Sequence, residues 1–319
     1  MPDFSFEKVN YSVRPNKAVE RRLLLQLLAA LDKRADLDLA TYRYMGLGSI
    51  WFVDFALIHR ALGIEDMLSF EAASSREKRV NFNIPFDCVK VKLGTYSYNF
   101  PELTWDKRQL IWLDYDGVLN AEMFTDLAQT VSEVPSKSIM LVSVNADPIQ
   151  LRDAGNDVAA QEIKLRDTVG TANLPSNAAG RIGRNLFPGL VGEIWNNAFV
   201  NAVAERPGFT YRPLVNIAYA DGVPMVTCGG MILSDEDADA FATVPMEDFA
   251  YLAPTSPLVL SVPHLTAREK LHFDQLVPVR GEATLKTVKK KLKFELKDSE
   301  IESYIRHYLH YPLYGEYQF

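Results

Sequence analysis

Two glycines and a carboxylate are the residues of this chain whose types and spacing most directly suggest chemistry. Gly46 and Gly48 lie in the stretch Thr-Tyr-Arg-Tyr-Met-Gly-Leu-Gly-Ser (41–49), which runs into an apolar helix, and Glu71 closes the next apolar run. Glycines let a backbone come close to a ligand, and the amides at the start of the following helix face it. A carboxylate at the end of the next strand is placed to hold a ribose diol, roughly twenty residues after the glycines. The pattern points to a nucleotide or nucleoside cofactor on a Rossmann-type sheet. Ordinary turn chemistry at 46–49 and a solvated strand end at Glu71 are the plain alternatives.

A second cluster follows the apolar run 110–113. Asp114 is placed to act as a general base or to position a substrate, and Tyr115 to stack on a planar group. The competing reading of Asp114-Tyr115-Asp116 is a polar strand end that caps the next helix. Asn145 and Asp147 sit at the equivalent edge of a later strand, where Asp147-Pro148 equally well starts a helix. Asp54 and His59 are five apart in an apolar helix and share no face, so ordinary satisfied positions are expected for both.

These groups need a scaffold, and the chain offers an alternation of short apolar runs and helical segments. Strands are predicted at 41–46, 67–71, 86–93, 109–114 and 138–144, with helices at about 49–62, 74–82 and 119–133 between them. Continuous apolar strands separated by helices indicate a parallel sheet covered on both faces. A helix at 17–33, with Asn16 as its cap after Pro15, precedes the series. Residues 148–206 read as a mostly helical insertion with a Gly/Asn/Pro-rich patch. Two strand-like runs, 211–219 and 223–232, flank Asp221-Gly222, a hairpin signal that closes one sheet edge with antiparallel pairing. The expected division is an N-terminal helical extension at 1–37, a Rossmann-like domain at 38–232, and a linker with a helical appendage at 233–319.

The 319 residues carry a formal charge of −7, so nucleic acid or an anionic membrane receives no overall attraction. The dense basic patch is 285–297, with Lys286, Lys289, Lys290, Lys291, Lys293 and Lys297 against Glu295. It reads more simply as a solvated helix face than as a nucleic-acid contact. Beyond it Tyr304, Tyr308, Tyr311, Tyr314 and Tyr317 recur every three or four residues, the spacing of a stripe that packs a tail on the main body, with base stacking the bolder reading. Cys88 and Cys228 sit in apolar runs, and the five histidines show no metal-ligand spacing. No basic-then-apolar leader opens the chain, and no apolar run approaches the roughly 18 residues of a membrane span. A cytoplasmic protein without membrane association is expected, its oligomeric state open.

Five βα units followed by an antiparallel hairpin resemble the class I S-adenosylmethionine-dependent methyltransferases over about residues 38–232. The narrower resemblance is to bacterial proteins of an O-methyltransferase type, through Tyr-Ser-Val-Arg-Pro-Asn-Lys (11–17) and Arg-Val-Asn-Phe-Asn-Ile-Pro-Phe-Asp-Cys (79–88). The resemblance implies S-adenosylmethionine as cofactor, held by Met45, Gly46, Gly48, Ser49, Glu71, Gly94, Thr95 and Asp114. It implies methyl transfer to an oxygen or nitrogen acceptor beside Asp114 and Tyr115. Two positions depart from the family pattern. Tyr44 stands where an acidic residue is usual, and Ser49-Ile50-Trp51 replaces the third glycine, so the methionine end of the pocket is expected to be reshaped or closed.

Two other readings share the same residues. One keeps the sheet for a catalytically inactive protein that binds a protein or nucleic-acid partner. The other assigns the glycines and Glu71 to a nicotinamide cofactor, less well matched because GxGxxG is incomplete.

Overall fold

The computed structural model describes residues 14–72, 74–253, 255–278 and 284–313. Five strands, β1 (Arg43–Leu47), β2 (Asp66–Glu71), β3 (Val89–Leu93), β4 (Gln109–Asp114) and β5 (Ser138–Asn145), pair in parallel. They are joined by β6 (Phe209–Ala220), β7 (Pro224–Ser234) and β8 (Leu258–Leu260) in one sheet of order β3-β2-β1-β4-β5-β7-β6-β8. β7 lies antiparallel between β5 and β6, and β8 runs parallel to β6. This is the doubly wound, mostly parallel sheet with a terminal antiparallel hairpin that the apolar runs predict. The turn of the hairpin is Asp221-Gly222, with Gly222 at φ 115°. β8 is new: it arises within 233–263, a stretch in which no strand is expected, where its three residues pair with Ile217, Ala218 and Tyr219 and its two leucines join the core.

The helices are α1 (Pro15–Arg34), α2 (Val53–Leu62), α3 (Glu77–Phe82), α4 (Tyr96–Asn99), α5 (Ala121–Glu133), α6 (Val158–Val169), α7 (Phe187–Ala204), α8 (Asp235–Phe241), α9 (Ala267–Asp274), α10 (Thr284–Lys291) and α11 (Asp298–His307). Strand side chains alternate between the two faces, and two apolar clusters result. Tyr44, Leu110 and Trp112 pack with α1, α2 and the C-terminal helices, whereas Met45, Ile111 and Leu113 pack with α5, α6 and α7. β4 and β5 are buried nearly end to end, as central parallel strands must be. The tyrosine stripe packs the tail: Tyr304 is stacked on Phe273 at 4.1 Å, and the buried Tyr311 donates to the Pro263 carbonyl at 2.9 Å. Tyr314 and Tyr317 lie outside the described residues, as do Tyr11, Ser12 and Val13 of the N-terminal motif.

α1 starts in a way the sequence does not suggest. Pro15 is the first helical residue, and Arg14 before it offers no side-chain cap. Asn16, expected as the cap, is inside the helix. Its side chain donates to the carbonyls of Ala220 and Val262 and accepts from the Val262 amide. The orphan amides of the first turn are satisfied from the hairpin instead. The buried Asp221 carboxylate accepts from the Asn16 amide at 3.1 Å and the Lys17 amide at 2.9 Å. A carboxylate at a helix N-terminus also meets the positive end of the macrodipole.

Two predictions arise from this packing. Asp221→Ala is expected to lower the unfolding free energy in urea by about 2–4 kcal/mol, because it strips a buried acceptor from several donors. A loss below about 0.5 kcal/mol, the size of an ordinary surface change, contradicts that role. His307 is buried, and burial, with Arg306 and His310 nearby, pushes its imidazole down to about 4. The folded state therefore favours the neutral ring, and protons bind the unfolded chain first. Stability contributed by this residue is complete above about pH 6.5 and is lost as pH falls toward 4, on the order of 3 kcal/mol. His307→Gln should flatten that part of the stability–pH curve; an unchanged slope contradicts the assignment.

Candidate active site

A cavity of about 330 Å³ opens at the carboxyl ends of β1, β2, β3 and β4. Its size falls in the range of small-molecule sites, roughly 300–1,000 Å³, and its place is where open α/β sheets bind ligands. Leu47, Gly48 and Ser49 come from the end of β1, Phe70 and Glu71 from β2, Gly94 and Thr95 from the turn after β3, and Asp114, Tyr115 and Asp116 from β4. Arg21 of α1, Asp54 of α2 and Asn120, Glu122 and Asp126 at and within α5 complete it.

Six of the eight cofactor positions read from the sequence are thus brought together: Gly48, Ser49, Glu71, Gly94, Thr95 and Asp114. Met45 and Gly46 are not among the lining residues. Met45 shares a strand face with Leu47, but it lies two residues short of the strand end where the cavity opens and is fully buried in the core. Gly46 pairs with Ser69 and Trp112 inside the sheet, and a Cβ there would stand 2.6 Å from the Tyr44 hydroxyl oxygen. Gly48 likewise lacks positive φ. It is needed because a Cβ would lie 2.2 Å from Ser69 Oγ. Both glycines therefore serve packing within the sheet, and Gly48 alone of the two reaches the cavity. The strained residue of this loop is Phe52, buried at φ 44° immediately before α2, where its conformation sets the direction in which Asp54 leaves.

The residues that sequence reading missed belong to α1. Lys17 is fully buried, and its ammonium donates to both oxygens of Asp114 at 3.0–3.1 Å and to the Tyr219 hydroxyl at 3.0 Å. It lies 2.9 Å from Glu20 Oε2 and sits over the Trp112 ring at 4.6 Å. Burial opposes its charge, but Asp114 and Glu20 more than offset this and hold the ammonium well above the usual lysine range. Burial pushes the Glu20 carboxyl up, with Lys17 opposing. One helical turn further, Arg21 grips Asp54 with two bonds, Nε–Oδ1 at 2.6 Å and Nη2–Oδ2 at 3.0 Å. Burial would raise the Asp54 carboxyl, yet the Arg21 charge and its hydrogen bonds carry it below the ordinary carboxylate range. The signal was present in the sequence: Lys17, Glu20 and Arg21 share the helix stripe of Leu24, Leu27, Leu28 and Leu31, which is buried.

On the opposite face of the sheet, Asp126 is buried and accepts from Ser97 Oγ at 2.6 Å and Tyr115 Oη at 2.7 Å. Burial raises the Asp126 carboxyl, and burial beside Asp126 raises the Tyr115 phenol well above its normal range. Tyr115 thus enters the site as a hydrogen-bond donor held to Asp126 rather than as a free stacking ring. Asn145 and Asp147 turn to local backbone, accepting from the Asp147 and Ile149 amides, and are absent from this cavity. His59 bonds the Ile64 carbonyl at 2.8 Å, a satisfied position as expected. The lysine run forms the solvent side of α10 and its continuation, with Val288 buried beneath and Lys289 paired to Asp298. Among the described residues no group of three or more His, Cys, Asp or Glu is placed to hold a metal ion, and no helix is long and apolar enough to cross a membrane.

A family model described as "Putative O-methyltransferase" matches residues 9–319. The chain belongs to this family. No curated protein matches it. Solved structures similar to this family member include an O-methyltransferase, TomG, of Streptomyces achromogenes in complex with S-adenosylmethionine, at 15% identity and a TM-score of 0.37, covering 66% of this chain and 78% of that one. A Bacillus cereus O-methyltransferase with S-adenosylhomocysteine aligns at 14% identity and TM-score 0.35, over 66% and 79%. Trm1 of Pyrococcus horikoshii with S-adenosylmethionine aligns at 12% identity and TM-score 0.45, over 96% and 78%.

The Gly48–Ser69 contact generates a paired prediction. Gly48→Ala should lower stability by about 1–3 kcal/mol through overpacking. Ser69 Oγ is buried without a hydrogen-bond partner among the described residues, and its Cβ is 3.6 Å from the new methyl position, an ordinary contact. Gly48→Ala/Ser69→Ala should therefore regain most of the lost thermal midpoint. A double variant no more stable than Gly48→Ala would show that the Phe70 carbonyl, at 3.4 Å, is the true obstacle.

Proposed function

We propose that this protein binds S-adenosylmethionine in the strand-end cavity and transfers its methyl group to an oxygen or nitrogen acceptor at the Asp114-Tyr115-Asp116 edge. The observation that carries the reading is the charge of the lining. Asp54, Glu71, Asp114, Asp116, Glu122 and Asp126 outnumber Arg21, the one cationic side chain among the described lining residues. Such a wall repels the pyrophosphate of a nicotinamide dinucleotide and suits a ligand that carries positive charge. A sulfonium cofactor with an ammonium group has that character. The donor set also fits its other parts: Glu71 at the end of β2 for the ribose hydroxyls, and the Thr95–Ser97 turn with Asp126 for the adenine. Family membership adds to this support.

When bound, S-adenosylmethionine supplies an electrophilic methyl group on sulfur. The rest is the work of the protein: alignment of the acceptor and exclusion of water. Both oxygens of Asp114 already hold the Lys17 ammonium, so Asp114 provides a fixed, oriented negative charge at the reacting edge. Asp116 and Glu122 line the same cavity from exposed positions and can take the acceptor's proton.

Calorimetric titration of S-adenosylmethionine and S-adenosylhomocysteine tests the proposal. Micromolar binding is expected, weakened about 10- to 100-fold in Glu71→Ala by loss of charge-assisted hydrogen bonds. No binding at millimolar ligand overturns the cofactor reading; unchanged affinity in Glu71→Ala overturns the ribose assignment alone.

A further inference from the structure

We propose that the methyl acceptor is a small amphiphilic acid, held by its anionic group against Arg152 and Arg184 in a groove beside the reacting edge. The inference rests on the methyl-transfer reading above and names the class of acceptor for it.

The groove, of about 400 Å³, opens beyond the carboxyl end of β5. β5 is the strand next to β4, and Ser143 stands in register with Asp114. Four residues lead from Ser143 to Asp147 at the groove, so at most about 14 Å of chain separates the two. Gln150 ties this place to the start of α5. Its Oε1 accepts from the Leu119 amide at 2.9 Å, and its Nε2 donates to the Asp147 carbonyl at 2.9 Å. Asn120, the next residue, already lines the strand-end cavity. A groove of this volume takes one small-molecule arm.

Its distinguishing feature is charge without a partner. Five cationic side chains stand between β5 and α7. Lys164 is paired with Asp153, Arg166 with Glu162, and Arg181 with Glu193. Arg152 and Arg184 are exposed, and their side chains have no hydrogen-bond or ion-pair partner among the described residues. They come from separate segments, the turn Pro148–Ala154 and the loop before α7, yet they line one groove. The carboxylate beside them, Asp147, already accepts from the Ile149 amide at 3.0 Å. Two guanidinium groups at one wall favour an anion that joins both, and their planar forks suit a carboxylate or a phosphate. Pro148, Ile149 and Ile182 add apolar surface, and Ile149 is 50% exposed. An occupant that matches the whole lining has an apolar body and an acid group.

The charges of the two sites then select which end of the acceptor reacts. The strand-end cavity is lined by carboxylates and repels an acid, whereas the groove draws one. The acid is anchored in the groove, and a hydroxyl or amine elsewhere on the molecule reaches Asp114. The held acid takes no part in the transfer. The proton of the reacting group leaves to Asp116 or Glu122, as above.

The groove is tested by calorimetry on the full chain saturated with S-adenosylhomocysteine, with 1-naphthyl phosphate and neutral 1-naphthol as probes. The phosphate should bind at least ~10-fold more tightly, as expected for charge-assisted contacts. Arg152→Gln/Arg184→Gln should remove that preference, while 1-naphthol and S-adenosylhomocysteine keep their affinities within about twofold. Both arginines are exposed, so this variant should unfold at the unaltered thermal midpoint. Lys290→Gln/Lys293→Gln removes the same charge from the exposed lysine run and should leave the preference intact. Equal binding of the two probes overturns the groove, as does a preference that survives the arginine variant or is lost equally in the lysine variant. The acceptor class is read with methyl-labelled S-adenosylmethionine and a cell extract divided beforehand into small anionic, other small-molecule and macromolecular fractions. Label should enter the small anionic fraction, at least ~10-fold more slowly with the arginine variant. Label in another fraction instead, or an equal rate in the variant, overturns the class. No label in any fraction is a different result: it removes the methyl-transfer reading and the acceptor class with it, and the probes then judge the groove alone.

Discussion

The buried ammonium of Lys17 is the interaction on which the site depends. It is buried from solvent and held by Asp114, Glu20 and the Tyr219 hydroxyl. A charge in that position is tolerable only when its partners surround it, and they come from three separate parts of the chain. Asp114 ends β4, Glu20 belongs to α1, and Tyr219 stands on β6. Glu20 extends the chain of contacts to Thr227 on β7, which bonds Ser143 on β5, which in turn accepts from Trp112 Nε1 on β4. Moving α1 by a fraction of its diameter would break this circuit. The position of Arg21, one turn along the same helix, is fixed as a consequence.

The electrostatics of the cavity follow from that circuit. Asp114 reaches the ligand edge with its charge already matched from behind, and Asp54 with its charge matched by Arg21. Such carboxylates keep their direction, whereas Asp126, which has hydroxyl donors and no cation partner among the described residues, is pushed up by burial. Two kinds of acid therefore line one pocket: rigid anions on the α1 side and a hydroxyl-supported carboxyl on the α5 side. The contrast between them orients an asymmetric ligand more strongly than total charge would.

Much of the sheet was legible because parallel strands buried on both faces read as unbroken apolar runs. Leu110 to Leu113 and Ile139 to Val142 could hardly be anything else, and the strand-end acids Glu71 and Asp114 stood out against them. Asp221-Gly222 announced the hairpin in the same way. The roles of Gly46 and Gly48 were not legible, since what occupies the space beside them, Tyr44 and Ser69, is settled by strand geometry and register. β8 was hidden because three residues carry no periodicity of their own. α1 is the instructive case. Its leucines mark the helix, whereas Lys17, Glu20 and Arg21 on the same stripe match no motif; the legible part is that a charge on a buried stripe must have a partner elsewhere.

The capping of α1 by Asp221 has a bearing on how the protein comes into being. About two hundred residues must be synthesised after the helix before the carboxylate that satisfies its first turn exists, and Tyr219 arrives at the same moment. Until then the amides of Asn16 and Lys17 have only water, and the Lys17 side chain lacks part of its enclosure. Contacts of such sequence separation form late, because the loop they close carries a large entropic penalty. A nascent or truncated chain that stops short of the hairpin can form the first βα units but not a finished pocket. Completion of the strand-end cavity thereby reports that the distal half of the chain has been made and folded.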